Sequence, residues 1–186
     1  MLIRPATSDD DAALWAVLEP VIRAGESFAL PRDMAREAAL AFWAAPGGDV
    51  FVAEDAGAIG EAESRGVGTP TALPAGRGAS PVRSILGSYF VRPNQRGGGA
   101  HVANAGYVTA VGHTGRGIAR AMCAHSLDHA RARGFRAMQY NIVVSTNERA
   151  VRLWQAMGFA IVGRLPGAFA HPSHGDVDAF VMFQRL

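Results

Sequence analysis

Tyr107-Val-Thr-Ala-Val111-Gly-His-Thr114-Gly-Arg-Gly-Ile-Ala119 is the stretch whose reading decides the fold. Its first residues alternate apolar and β-branched side chains, as a strand does. The three glycines that follow break that pattern within a few residues. From Gly117 to Arg133 the small and apolar residues Ala119, Met122, Cys123, Ser126, Leu127 and Ala130 recur at helical spacing, and Gly134 ends the run. A strand therefore passes through a glycine turn directly into a helix N-terminus. Downstream stands Asn147-Glu-Arg-Ala-Val-Arg-Leu-Trp154-Gln-Ala-Met-Gly158-Phe159, a second helix with its stop signal.

Working outward, Ala137 to Val144 reads as the strand between these helices, Phe159 to Leu165 as a strand after them, and Ala179 to Leu186 as a closing strand. Pro166-Gly-Ala-Phe169-Ala-His171-Pro172 is then a connection between the last two strands and an extra wall for any pocket beside it. Upstream, Ser84 to Arg92 and Ala103 to Val111 read as strands on either side of the loop Pro93-Asn-Gln-Arg-Gly-Gly-Gly-Ala-His101. The glycine triplet is not a phosphate cradle, because no helical pattern follows it.

The chain opens on a short strand, Leu2-Ile3-Arg4-Pro5. Thr7-Ser-Asp-Asp-Asp11 supplies N-cap chemistry for a helix carrying Leu14, Val17, Leu18 and Val21. A second helix is expected from Asp33 to Ala45, stopped by Pro46-Gly47-Gly48, before a strand at Val50 to Ala53. Between Gly57 and Arg83 six glycines and three prolines stand among few large aliphatics, which predicts a flexible insertion or a lid over a substrate. The whole is a single mixed α/β domain, residues 1–186, with no internal repeat.

At 186 residues such a domain buries about 70% of the surface its unfolded chain exposes, so it needs no staple. The lone cysteine, Cys123, rules out an internal disulfide and falls on an apolar helix stripe, where it packs rather than reacts. No histidine, cysteine or carboxylate spacing fits a metal site. All 18 basic residues are arginine, which excludes lysine Schiff-base chemistry, and the net charge of +2 is too small and scattered for a nucleic-acid face. Apolar runs are too short for a membrane helix, and no signal segment opens the chain, so a cytoplasmic setting is expected.

The glycine turn and the Asn147 to Phe159 segment, in that order and at that distance, resemble the acetyl-CoA site of the GNAT N-acetyltransferases. The resemblance implies a mixed, mostly antiparallel sheet with helices on both faces and one parallel strand pair that splays apart. The backbone of Thr109, Ala110 and Val111 would then bind the pantetheine amides of acetyl-CoA. Thr114, Gly115, Arg116, Gly117, Ile118 and Ala119 would cradle its pyrophosphate, which glycine flexibility, free helix N–H groups and the helix dipole favour on physical grounds. Thr114 stands where the family usually has arginine or glutamine, which removes one side-chain contact and leaves the backbone cradle. Arg116 reads equally as a phosphate ligand or as an exposed first-turn side chain, and Arg120 as solvated.

Asn147 takes the place of a family asparagine that reaches the pantetheine arm, and it is also an ordinary N-cap. Trp154 stands where many members have a tyrosine that protonates the departing thiolate, and an indole N–H is too weak an acid for that. A thiolate with a pKa of about 8.5 leaves without such help. The implied reaction is direct transfer to the amine of a small molecule, with no covalent enzyme species, no metal and often a homodimer.

Since no Asp or Glu lies between Glu63 and Asp128, the central strands offer no carboxylate base. The candidates are His101, His113, Tyr107, Tyr140, and water held by Asn104 or Asn141. Asn104 and Asn141, on facing strands, would orient the acceptor or are satisfied by backbone. Arg92 to Gln95, His101 to Gly106 and Tyr140-Asn141 resemble the branch that acetylates azetidine-2-carboxylate and related proline analogues. Acetylation of a protein, and acyl-CoA binding without catalysis, are the alternatives.

Overall fold

The computed structural model describes residues 1–55 and 84–186. The insertion expected at 57–83 lies outside the described residues. The elements run β1 (Leu2–Pro5), α1 (Asp11–Ala24), α2 (Arg36–Trp43), β2 (Asp49–Glu54), β3 (Ile85–Pro93), β4 (Val102–Thr109), α3 (Ile118–Ala132), β5 (Ala137–Val144), α4 (Glu148–Ala156), β6 (Ala160–His171) and β7 (Gly175–Arg185). Among the described residues seven strands form one sheet in the order β1-β2-β3-β4-β5-β7-β6. The pairings are antiparallel except that of β4 with β5, which is parallel.

The sheet is covered on both faces, which is why β3 reads as an almost unbroken apolar run rather than an alternation. On one face Leu14, Val17, Leu18 and Ile22 of α1 and Ala39 and Trp43 of α2 bury against Val52, Ile85, Phe90 and Val108. On the other, Met122, Cys123, Leu127 and Ala130 of α3 pack on Phe51, Tyr89, Val91, Ala105 and Met138. Among the described residues one buried side-chain oxygen, Gln184 Oε1, lacks a partner, whereas the polar groups beneath α2 are paired. Trp43 Nε1 donates to Ser88 Oγ at 3.0 Å, and that hydroxyl donates to the Phe51 carbonyl at 2.8 Å.

At the edge, Arg4 ties β1 to the start of α1. Its guanidinium donates to both Asp10 carboxylate oxygens at 2.7 Å and to Glu54 Oε2 at 3.0 Å, while Thr7 N–H also donates to Asp10 at 2.8 Å. Arg4 is the main reason the Asp10 pKa is lowered to about 2.

Three expected boundaries move, each for a local reason. The helix placed at Asp33 to Ala45 begins only at Arg36, because Pro31 to Met34 closes its own turn through Met34 N–H to Pro31 O at 3.0 Å. The strand placed at Ala103 to Val111 leaves the sheet after Thr109; Gly112 takes the left-handed conformation (φ +81°) and Val111 is 70% exposed. The connection expected at Pro166 to Pro172 is instead mostly strand, so β6 and β7 make one long hairpin. Pro166 is tolerated because β6 is an edge strand and its register slips between Leu165 and Phe169, where no ladder bond is lost.

Candidate active site

The parallel contact of β4 with β5 lasts for three rungs, Val102 with Ala137, Ala103 with Met138 and Asn104 with Gln139. Past Asn104 the strands part. The side chain of Asn104 closes the last rung by donating from Nδ2 to the Gln139 carbonyl at 2.9 Å. Asn141, on the facing strand, donates to Asn94 Oδ1 at 2.7 Å and accepts from Gln139 Nε2 at 2.9 Å. The two asparagines therefore stand together at the fork, each held by a protein partner.

The fork opens into a cleft of about 450 Å³. One wall comes from β4 and β5, including Asn104, Gly106, Tyr107, Thr109, Asn141 and Val143. The other comes from Ser27, Phe28 and Ala29, between α1 and α2, with Phe42, Phe90 and Arg92. Val21, expected in the packed stripe of α1, is half-buried and also lines the cleft. A second cavity of about 360 Å³ runs between the start of α3 and α4, lined by His113, Thr114, Gly115, Gly117, Ile118, Ala119, Arg120, Arg149 and Leu153. Tyr107, Thr109, Thr114, Asn147, Ala150 and Trp154 line both, so the two cavities form one passage.

The glycine turn is built for close approach. Gly112, Gly115 and Gly117 all have φ near +80° to +90°, and a Cβ on Gly117 would meet nothing within 4 Å. Among the described residues no side chain caps α3 at Gly117, which leaves the first N–H groups of this helix for a ligand or solvent. Arg149 hangs over the same turn, with Nη2 3.2 Å from where a Gly115 Cβ would stand. The cations at the furrow are thus Arg120 and Arg149. Arg116, named from the sequence, is exposed and outside both linings.

The backbone expected to be free at Thr109, Ala110 and Val111 is only partly so. Ala110 N–H donates to Leu86 O at 2.9 Å and its carbonyl accepts from His113 N–H at 3.0 Å, so both of its groups are spent on β3 and on the turn. Of the three residues only Thr109 lines the passage. Asn147 caps α4, with Oδ1 accepting from Ala150 N–H at 3.1 Å, and it faces both cavities. A cap and a wall residue are the same side chain here.

Trp154 is 8% exposed at the junction of the cavities, its ring 4.9 Å from Tyr107 and 5.2 Å from Tyr140. The Tyr107 hydroxyl lies 2.6 Å from Ser126 Oγ and 3.0 Å from the Tyr140 hydroxyl. Burial pushes both phenols well above their ordinary value of 10, which favours their protonated forms. Burial likewise raises the Cys123 thiol to about 11, and the residue is fully buried, as packing predicts.

His101 and His113 are each tied through Nδ1 to a loop carbonyl, that of Gly98 at 3.0 Å and that of Val111 at 3.2 Å. Neither lines the 450 Å³ cleft. His171, in the segment expected to add a pocket wall, lines a third cavity of about 350 Å³ that shares Ser27 and Asn147 with the cleft; sequence reasoning missed Glu26 and His174, which line it too. It also missed the aromatic seat of Arg92. The guanidinium lies 4.2 Å from the Phe90 ring and 4.9 Å from that of Phe42, and Nη1 donates to the Phe42 carbonyl at 3.0 Å. Nothing local marks these groups, since loops and strands far apart in sequence bring them together. Among the described residues no three His, Cys, Asp or Glu side chains are gathered as a metal site, and no helix is long and apolar enough to cross a membrane.

Comparison with known proteins gives the same architecture a family. The family model described as "Acetyltransferase (GNAT) family" matches residues 18–159. The chain is similar to the N-acetyltransferase aca1 of Schizosaccharomyces pombe, with 32% identity over 99 residues; the match takes in 53% of this chain and about half, 47%, of that protein. Among solved structures, a GCN5-related N-acetyltransferase from Kribbella flavida superposes with a TM-score of 0.81 at 34% identity, covering 100% of this chain and 97% of the other. A GNAT superfamily phosphinothricin acetyltransferase from Sinorhizobium meliloti, in complex with acetyl-CoA, shares the fold with a TM-score of 0.74 at 18% identity, covering 100% and 88%.

Proposed function

Because the chain belongs to the GNAT acetyltransferase family and is thereby an acyltransferase, we propose that it moves an acetyl group from acetyl-CoA directly to the amine of a small molecule. The observation that carries this reading is the fork after Asn104 and Gln139, which opens a cleft continuous with the glycine turn at the start of α3. A long, thin molecule with phosphates at one end and a thioester at the other matches that passage. The chemistry it supplies when bound is an activated acetyl carbonyl with a good thiolate leaving group.

The residues divide the work along the passage. Gly115, Gly117 and the N–H groups of Ile118 and Ala119 would receive phosphate oxygens, with Thr114 beside them and Arg120 and Arg149 adding charge. Thr109 and the side chain of Asn147 would contact the pantetheine amides. Trp154 would pack on the arm near the thioester and keep water from it, without giving a proton. Asn104, Asn141 and the hydrogen-bonded row behind them would set the acceptor at the fork, so their role is positioning.

The acceptor nitrogen forms the new C–N bond as the C–S bond breaks, and the thiolate departs. Among the described residues the cleft is lined by no carboxylate and no histidine, so the ammonium proton leaves to water. Cys123 is too deep and too weakly acidic to take the acetyl group.

The test is release of CoA thiol from acetyl-CoA across amino acids, proline analogues, polyamines, aminoglycosides and short peptides, with Asn104→Ala alongside. Small amines are the expected acceptors, and the variant is expected to lose about tenfold or more in acceptor kcat/KM, because it leaves the Gln139 carbonyl unpaired at the fork. Transfer confined to peptides would make this a protein acetyltransferase. Binding without turnover would make it an acyl-CoA-binding regulator.

A further inference from the structure

We propose that the acceptor carries an acidic oxoanion in addition to its amine, and that Arg92 binds that group and so sets specificity; this rests on the acetyl-transfer reading above. Among the described residues that line the 450 Å³ cleft, Arg92 is the only charged side chain. It stands on β3 directly opposite Asn104 on β4, so the two side chains share one face of the sheet, about 5 Å apart at their Cβ atoms. Asn104 marks the last rung before the fork. Neighbouring strands are about 4.8 Å apart and Arg92 lines the same cleft as Asn104 and Asn141, so one small acceptor in that cleft faces both the guanidinium and the fork.

The seat of Arg92 is made for holding the guanidinium still. Phe42 and Phe90 lie against it, and the bond from Nη1 to the Phe42 carbonyl fixes the plane. That single bond uses one of its five N–H donors, and among the described residues it has no carboxylate partner. Gly106, opposite Phe90, completes the arrangement, because a Cβ there would come within 2.6 Å of the Phe90 ring and displace it. A cation partly withdrawn from water on aromatic faces, with donors to spare and facing a substrate cleft, is suited to a planar carboxylate.

The same charge argues against other amines. A polyamine would bring a second cation beside Arg92 with no lining carboxylate to offset it. A plain alkylamine would cover the guanidinium without pairing it, which costs binding.

The decisive experiment compares kcat/KM for matched acceptors: proline with prolinamide, azetidine-2-carboxylate with azetidine, glycine with glycinamide and with aminomethylphosphonate, and spermidine. Each is run on the unaltered chain, Arg92→Gln and Arg92→Lys, with acetyl-CoA affinity measured separately. The acid is expected to exceed its uncharged partner by about tenfold to a hundredfold. Arg92→Gln should erase that preference through the acid KM, Arg92→Lys should restore part of it, and the acetyl-CoA Kd should stay within about twofold. Glycine against aminomethylphosphonate tells whether the oxoanion is a carboxylate or a phosphonate.

Equal use of acid and amide by the unaltered chain overturns the proposal, even if both variants fail to fold. A preference for acids that survives in Arg92→Gln, or spermidine as the best acceptor, overturns it as well. If acetyl-CoA binds but nothing turns over, the acids are titrated directly; failure to bind them overturns this proposal and leaves the cofactor site standing. Failure to bind acetyl-CoA removes the acetyl-transfer reading itself.

Discussion

Replacing Gly117 by alanine separates a glycine required by a ligand from one required only by the fold, because α3 has a matching glycine at its other end. Gly117 has φ +79° and Gly134 has φ +80°, and a Cβ at either would meet no atom within 4 Å. Alanine therefore costs the same at both sites for the left-handed backbone alone, about 1–2 kcal/mol. At Gly134 the whole cost falls on stability, which for a domain of this size lowers Tm by roughly 2–8 °C. At Gly117 the turn is exposed and free to relax toward negative φ, which swings the first N–H groups of α3 away from a bound phosphate. The cost then falls on binding, and 1–2 kcal/mol weakens acetyl-CoA by about 5- to 30-fold. Calorimetric titration with acetyl-CoA, paired with a thermal melt, reads both quantities. The reasoning is refuted if Gly117→Ala binds acetyl-CoA as the unaltered chain does, or if Gly134→Ala is weakened just as much.

Other expectations follow from the same geometry. Cys123→Ala should keep its turnover while losing roughly 1 kcal/mol of stability, since the thiol packs and does not react; loss of turnover with an unchanged melt would contradict this. Acetyl-CoA should change the tryptophan fluorescence through Trp154 at the junction of the cavities, and Trp154→Phe should abolish that response, whereas a full response in the variant would place the ligand elsewhere. Asp10→Asn should cost about 2 kcal/mol at neutral pH. Because the folded pKa of Asp10 is depressed to about 2, that contribution is present above the unfolded value near 4 and fades as the pH falls toward 2. Chemical denaturation of both proteins at pH 7 and at pH 2.5 checks the sign: the gap between them should shrink at the lower pH.

Much of this fold was legible because its central elements obey a single period. The buried run of β3, the helical stripe of α3 with its stop at Gly134, and α4 with its stop at Gly158 are each dictated by neighbours in sequence. The β6–β7 hairpin was not legible in the same way. It is an edge, mostly exposed, and broken by two register shifts around Gly163 and Pro166, so the pattern ends at Leu165 although the strand runs on to His171. In the site, the glycine turn could be read because a strand, a left-handed turn and a helix start are local events. The engagement of Ala110 by Leu86, and the bond from Asn104 to Gln139, depend on which strand lies alongside and where a pair of strands parts. Arg92 is the clearest case, since its aromatic seat joins α2 to β3 across about fifty residues.

The account stands most directly on acetyl transfer itself. Incubating the chain with acetyl-CoA and its best small amine acceptor, then weighing both the product and the protein by mass spectrometry, tests it in one step. The account predicts one N-acetylated acceptor for each CoA thiol released, with the protein mass unchanged throughout turnover. A persistent acetyl adduct on the protein that passes to the acceptor, or acetyl-CoA bound tightly with no amine acetylated, would contradict it.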